Sequence, residues 1–262
     1  MRNRNMTITK AVATQAVFYV LLLAAWQGLY FLCVSVLGLW KPYAFPNPIG
    51  VWKSLCVLIE QNMLFVAVYH SLKRAIIGFL LSILTGVVLG FFLVKFKLLA
   101  EAFKPLILGF QTLPSICWVP FAILWFGLNE TAIIFVILMG STFSIALSVD
   151  MAIRNVNPLY IKAAKTMGAK GLELYTKVIC PASLPSLITG LKQGWSFAWR
   201  SLMAGEVMSA SIGLGQALTL GRDLADINRV MLIIIIIVIL GVLIERFIFA
   251  GFEEKILKKM GY

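Results

Sequence analysis

Residue types that do covalent chemistry are sparse in this chain. It has one histidine, His70, and 11 carboxylates spread over 262 residues. A single imidazole cannot build a metal cluster, and no nucleophile, base and acid fall together. Cys33, Cys56, Cys117 and Cys180 lie far apart with no C-x-x-C, so neither a metal knuckle nor a disulfide is expected. Phosphate-binding loops are missing too. Ala169-Lys170-Gly171 lacks the rest of G-x-x-x-x-G-K-[ST], and Gly213-x-Gly215 lacks a third glycine and a preceding strand. The chain is therefore read as non-catalytic, with no cofactor or metal of its own.

The elements around these residues are apolar blocks. Hydrophobic residues make up 61% of the chain and charged residues 13%, with a mean hydropathy of +0.94. Soluble domains are nearer half apolar and a quarter charged. Residues 11–40, 75–94, 105–129 and 131–149 contain no Asp, Glu, Lys or Arg. Roughly 20 apolar residues suffice for a helix to cross about 30 Å of hydrocarbon. A fifth block, 187–210, carries Lys192, Arg200 and Glu206, and a sixth runs from Val230 to Ala250, ending in Glu245 and Arg246. Long unalternating runs fit helices and not barrel strands. The reading is an all-α integral membrane protein with six transmembrane helices. The first, 18–39, follows a tail at 1–17 and has no small-x-small cleavage site, so it is read as retained.

Basic residues orient the chain. With the N-terminus inside, Arg2, Arg4, Lys10, Lys95, Lys97, Lys104, Arg154, Lys162, Lys165, Lys170, Lys177, Arg246, Lys255, Lys258 and Lys259 lie inside. Only Lys41, Lys53, Lys73, Arg74, Arg222 and Arg229 lie outside. The positive-inside rule favours this arrangement, with both termini cytoplasmic. The net charge of +12 is then a topology signal aided by anionic lipid, and no nucleic-acid motif accompanies it.

Charge and irregularity inside the blocks mark where a solute could pass. Arg200 suits an anion, and equally an inter-helix ion pair. Glu206 is six residues on, about 600° of helix rotation, so it lies on another face and near a wet end. Helix three is expected to start at Lys104-Pro105 and to bend or break at Pro114 and Pro120, either lining a pathway or as a structural kink. Gln111, Thr112, Trp118, Trp195, Ser196 and Trp199 add polar and aromatic faces to helices three and five. Gly86-x-x-x-Gly90 suits close helix packing. The glycines of SIGLG, 211–215, are read as a turn needing positive φ.

Two loops are long. Residues 40–71 open irregularly with KPYAFPNPIG and continue as amphipathic pieces on the outer side. Residues 150–185 form an inner loop. Asn157-Pro158 starts a short helix that Gly168 ends, and a second short helix from Leu172 leads toward Pro181. Such a basic helix pair is either a docking element or a membrane-surface hairpin.

That loop resembles the signature of binding-protein-dependent ABC transporter permeases: Glu-Ala-Ala, three residues, Gly, nine residues, Ile-x-Leu-Pro. Ala163, Ala164, Gly168 and Pro181 match in type and spacing, while Lys162, Val178 and Cys180 stand where Glu, Ile and Leu are usual. FPNPIGVW, HSLKRAIIGF, PLILGFQTLPSICWVPFAILWFG, AWRSLMAGEVMSASIGLGQAL and GRDLADINRV resemble the nitrate, taurine and aliphatic-sulfonate group of these importers, from about Phe45 to Tyr262. The resemblance implies a type I (MetI-like) permease core at 72–251, five helices plus the N-terminal one, with a cytoplasmic tail at 252–262. It implies ATPase coupling through Lys162, Ala163, Ala164, Met167, Gly168, Leu172 and Pro181. Implied partners are a second permease copy, two cytoplasmic ATPases that carry ATP and Mg, an external solute-binding protein and the bilayer of a bacterial plasma membrane. A small anion is the expected solute, with thiamine-precursor or riboflavin-like compounds as the alternative. A secondary transporter would be expected to show internal repeats, which the sequence lacks, and a channel would leave the inner loop without a task.

Overall fold

The computed structural model describes residues 2–249 and 251. The expected tail at 252–262, with Lys255, Lys258 and Lys259, lies outside the described residues. All regular elements among the described residues are helical. Two compact units emerge: residues 1–65 with 217–236, and residues 66–216 with 237–262.

In the first unit, α1 (Arg2–Tyr30) continues as a π turn, Phe31–Val36. Helix therefore begins at Arg2, inside the tail expected at 1–17, and residues 2–17 of it are helical. Residues 40–47 are irregular, as their prolines require, and are held by aromatic stacking of Tyr30 and Trp40 on Phe45. Trp26 donates its indole N–H to the Pro46 carbonyl at 3.0 Å. Asn47 caps α2 (Pro48–Glu60) by accepting from the Gly50 amide, with Pro48 at the start where no N–H is needed. The Asn47 amide in turn donates to Asn228 Oδ1 at 3.0 Å. A Cβ on Gly50 would come within 2.5 Å of the Asn228 amide, so the glycine leaves room for that side chain.

α3 (Met63–Lys95) starts well before residue 72. The expected outer loop therefore ends inside a helix. α4 (Lys97–Thr112) likewise starts earlier than expected, and Pro105 sits inside it, not at its first turn. The chain then breaks. Leu113 and Pro114 are extended, a 3-10 turn covers Ser115–Trp118, and α5 (Val119–Phe126) leaves at 99° to α4. The two prolines divide the labour. Pro114 interrupts the helix, while Pro120 sits in the first turn of α5 and breaks nothing.

α6 (Glu130–Arg154) is the axis of the second unit. Asn129 caps it by accepting from the amides of Thr131 and Ala132, and Glu130 and Arg154 complement the dipole at its two ends. Small residues of two neighbours let α6 approach closely. Gly78, Gly86 and Gly90 of α3 lie against Ile137, Ile145 and Val149. Gly190 and Gly194 of α9 (Cys180–Met208) lie against Ser148 and Ile145. The expected packing role of Gly86-x-x-x-Gly90 is thus its role in the structure.

α7 (Pro158–Thr166) begins with Asn157 accepting from the Leu159 amide. It ends in a Schellman turn: Gly168, at φ +93°, donates to Lys165 O, and Ala169 donates to Ala164 O. α8 (Gly171–Leu174) runs through a π turn, Tyr175–Ile179, directly into α9. The second short helix of the inner loop is therefore the start of the next long helix, and Pro181 lies inside a continuous helical run. α10 (Leu214–Asp223) and α11 (Ile227–Ile244), with a π turn Glu245–Phe249, complete the described chain.

Four helical stretches are long and apolar enough to cross a bilayer: Val17–Val36, Met63–Lys95, Glu130–Arg154 and Ile227–Phe247. The bent α4–α5 pair makes a fifth if it is one span. α9 is 29 residues long but more polar. The membrane class thus follows from composition and length, and the count of six is not fixed by them.

Candidate functional site

Three groups of residues in the second unit could serve transport. The first surrounds the break after α4. Gln111, Thr112, Leu113, Pro114, Ser115, Ile116, Gly140, Phe197, Arg200 and Ser201 line a cavity of about 300 Å³. The 113–114 break exists because Pro114 cannot donate and because Leu113, preceding it, is held extended. Arg200 is exposed and lies over the Phe197 ring at 4.6 Å, its Nε donating to the Ser196 carbonyl. Among the described residues it forms no ion pair with a carboxylate.

Of the expected pathway residues, Gln111, Thr112, Pro114 and Arg200 meet here. Trp195, Ser196 and Trp199 line a separate groove of about 290 Å³ with Arg200, Gly241 and Glu245. Trp195 and Trp199 are themselves buried, Trp195 meeting Phe79 edge-on and stacking on Trp199. Trp118 is half-buried against Phe110 and Phe121. Glu245, at the charged end of the sixth block, forms an ion pair with Lys192 at 3.0 Å.

Glu206 is in a second place. The expectation of a wet group is corrected: its side chain is 0% exposed. It accepts from Ser71 Oγ at 2.7 Å, from Arg74 Nη1 at 2.8 Å and from the Gly215 amide at 3.0 Å. Arg74 also donates to the Ile212 carbonyl and, through Nη2, to Glu130 at 2.9 Å. His70 and Lys73 flank Glu130 at 3.7 Å. Arg74 had counted as a loop cation, yet its side chain is 2% exposed. Gly213 and Gly215 are corrected with it, since neither has positive φ. Their missing Cβ atoms make room for Glu206, which a Cβ would approach to 2.5 and 2.4 Å. A carboxylate in an apolar block followed shortly by G-x-G was the available sequence signal for this arrangement.

The third group is the loop at 155–179. Met167 and Leu172 are 82% and 80% exposed, and Lys162, Ala163 and Gly168 are exposed beside them. Ala164 differs: it is 3% exposed and turned inward. Pro181 is exposed on the helical run that leaves the loop. Lys177 pairs with Glu173 at 2.7 Å and holds its carboxyl below the usual carboxylate range. The loop thus exposes a large apolar pair on a helix–turn–helix with Lys162, Lys165 and Lys170 around it.

Apolar helices long enough to span a bilayer, a broken helix beside an exposed arginine and an exposed apolar–basic loop fit a membrane transport subunit. The chain belongs to the family of binding-protein-dependent transport system inner membrane components, whose model matches residues 78–258. It is 35% identical over 177 residues to a putative ABC transporter permease of Methanocaldococcus jannaschii, covering 67% of this chain and 66% of that protein. It is 30% identical to the putative aliphatic sulfonates transport permease SsuC of Bacillus subtilis, over 90% of this chain and 84% of that one. With the taurine transport system permease TauC of Escherichia coli it shares 26% identity, over 91% and 85%. Among solved structures, an inward-facing MetNI methionine ABC transporter chain matches with a TM-score of 0.65 and 21% identity, covering 74% of this chain and 96% of that one. That likeness concerns the fold.

Proposed function

We propose that this chain is the membrane-spanning subunit of an ATP-driven importer that moves a small anion, a sulfonate, taurine, nitrate or similar, delivered by an external binding protein. The observation that carries it is the loop at 158–181, which keeps the family spacing and presents Met167 and Leu172 to solvent. In this reading two copies form the pathway, and two cytoplasmic ATPases, holding ATP and Mg, dock on Lys162, Ala163, Met167, Gly168 and Leu172. The chain crosses a bacterial plasma membrane six times, counting α4–α5 as one span and α9 as another, with both termini cytoplasmic. It performs no covalent chemistry itself.

The pathway is assigned to Gln111, Thr112, Pro114 and Arg200. A cation without a carboxylate partner at membrane depth is costly unless it faces water or an anion, and Arg200 lies at such a cavity. Sulfonate and taurine relatives at 26–30% identity favour an anionic solute over a thiamine-precursor or riboflavin-like one.

Docking is tested by Gly168→Arg. At φ +93° a side chain is strained, and the glycine faces open space where the partner would sit. The variant is expected to insert into membranes at normal yield and to lose co-purification with the cognate ATPase at least tenfold. Unchanged co-purification would overturn the coupling assignment. For the pathway, Arg200→Gln is expected to lower uptake of the receptor-delivered anion at least tenfold while ATPase binding is unaltered. Unaltered uptake would return Arg200 to a packing role.

A further inference from the structure

A second buried carboxylate lies at the Arg154 end of α6, apart from the Arg74–Glu206 pair. Asp150 is 1% exposed. One of its oxygens meets Lys104 Nζ of α4 at 2.5 Å, and the other meets Arg154 Nε, one turn along α6, at 2.6 Å. Arg154 then donates through Nη2 to the Leu93 carbonyl, in the last turn of α3, at 3.0 Å. Three helices are thus joined at one carboxylate. Only Asn155, Val156 and Asn157 separate this junction from α7.

Stability alone is a weak reason for such a junction. Burying an ion cluster brings a desolvation penalty that the Coulombic gain often fails to exceed, and apolar residues of similar volume do as well. What a buried carboxylate with two half-buried cations adds is directional attachment: α4 cannot slide along α6 without drawing Lys104 away from a carboxylate that is itself shielded from water. From Lys104, α4 runs on to Gln111 and Thr112 at the cavity, packed on α6 through Ile107, Phe143 and Leu147. Those apolar contacts tolerate sliding, and the charged one does not.

We infer that Asp150 is the positioning residue that fastens α4 to the root of the docking loop, so that movement imposed at α7 reaches the broken end of α4 beside Arg200. This rests on the reading of α7 as the ATPase contact. Lys104 is the arm toward α4, and Arg154 is the arm toward α3. Loss of the Lys104 arm alone leaves Asp150 paired with Arg154.

The test uses the permease–ATPase complex in lipid nanodiscs, with the four native cysteines replaced by serine. Nitroxide labels are placed either at Leu108→Cys on α4 or at Thr176→Cys beside the loop, both exposed positions. Pulsed EPR reads the distance between the labels of the two permease copies, without nucleotide and with ATP–vanadate. In the parent complex both distances should shift. In Asp150→Asn and in Lys104→Met the Thr176 shift should persist while the Leu108 shift falls below half, and Asp150→Glu should restore it. Equal Leu108 shifts in parent and variants overturn the inference, as does a proportional loss at both labels, which general loosening would give. A parent in which Thr176 responds and Leu108 does not overturns it while leaving the docking reading intact. If neither label responds, the docking reading falls and this inference with it. Should Asp150→Asn fail to assemble, Lys104→Met decides between the same outcomes.

Discussion

Arg74→Met is expected to destabilise the folded chain by about 3–5 kcal/mol, the range for breaking a buried pair from one side. The guanidinium holds two carboxylates, Glu206 at 2.8 Å and Glu130 at 2.9 Å, and caps the Ile212 carbonyl at 2.7 Å. Methionine fills similar space and leaves Glu206 with Ser71 and the Gly215 amide but without a countercharge. Equilibrium unfolding in mixed micelles, followed by tryptophan fluorescence, measures the loss. Adding Glu206→Gln to Arg74→Met should recover more than half of it, because the amide no longer needs a cation. A double variant no better than Arg74→Met would show that the arginine acts through packing alone. Two substitutions that share a partner cannot be additive.

The second large effect is expected at Gly90. A Cβ there would lie 2.6 Å from Val149 Cβ and 2.8 Å from the Ala146 carbonyl oxygen. Neither a β-branched core residue nor helix backbone can give way cheaply. Gly90→Ala should therefore cost about 1–3 kcal/mol by overpacking, and Gly90→Leu more. Gly109, inside α4, is the matched control. Nothing lies within 4 Å of its Cβ position, so Gly109→Ala should be neutral or stabilising by about 0.5–1 kcal/mol, from helix propensity. The same unfolding measurement on both variants checks the pair. Equal effects would mean that the α3–α6 contact is looser than its geometry.

These expectations show which features were legible beforehand. Long apolar blocks marked α1, α3, α6 and α11 because length and composition alone decide a bilayer span. The Asn157-Pro158 start and Gly168 stop of α7 were legible because caps and positive φ select few residue types. Starts of α3 and α4 were misplaced because amphipathic residues before a span, such as Val66 to Ser71, join the helix without changing its chemistry. The Arg74–Glu206 pair was missed because its members lie 132 positions apart. No periodicity within one helix reports a partner on another. Arg74 also looked like a topology charge, for a positive-inside count weighs every basic residue alike. Glu206 looked wet because distance from a block's centre was the only burial clue available. The cavity beside Arg200 was partly legible: two prolines announced a break, but only folding brings Gln111 and Thr112 to face α9.

The unbroken run from Gly171 to Met208 has a mechanical consequence. At about 1.5 Å per residue its helical path is roughly 57 Å long, and to the extent that it moves as one body it is a rod. One end carries Leu172 of the loop, and Glu206, pinned by three donors, the Ser71 hydroxyl, the Arg74 guanidinium and the Gly215 amide, sits near the other. If the pinned end is the fulcrum, a tilt of about 5° sweeps the loop end through ~5 Å. Arg200, only six residues from the fulcrum, then travels under ~1 Å on the same spacing. Such a rod trades distance for force, with a mechanical advantage of roughly six. A broad, weak push at the loop becomes a short, strong one at the arginine.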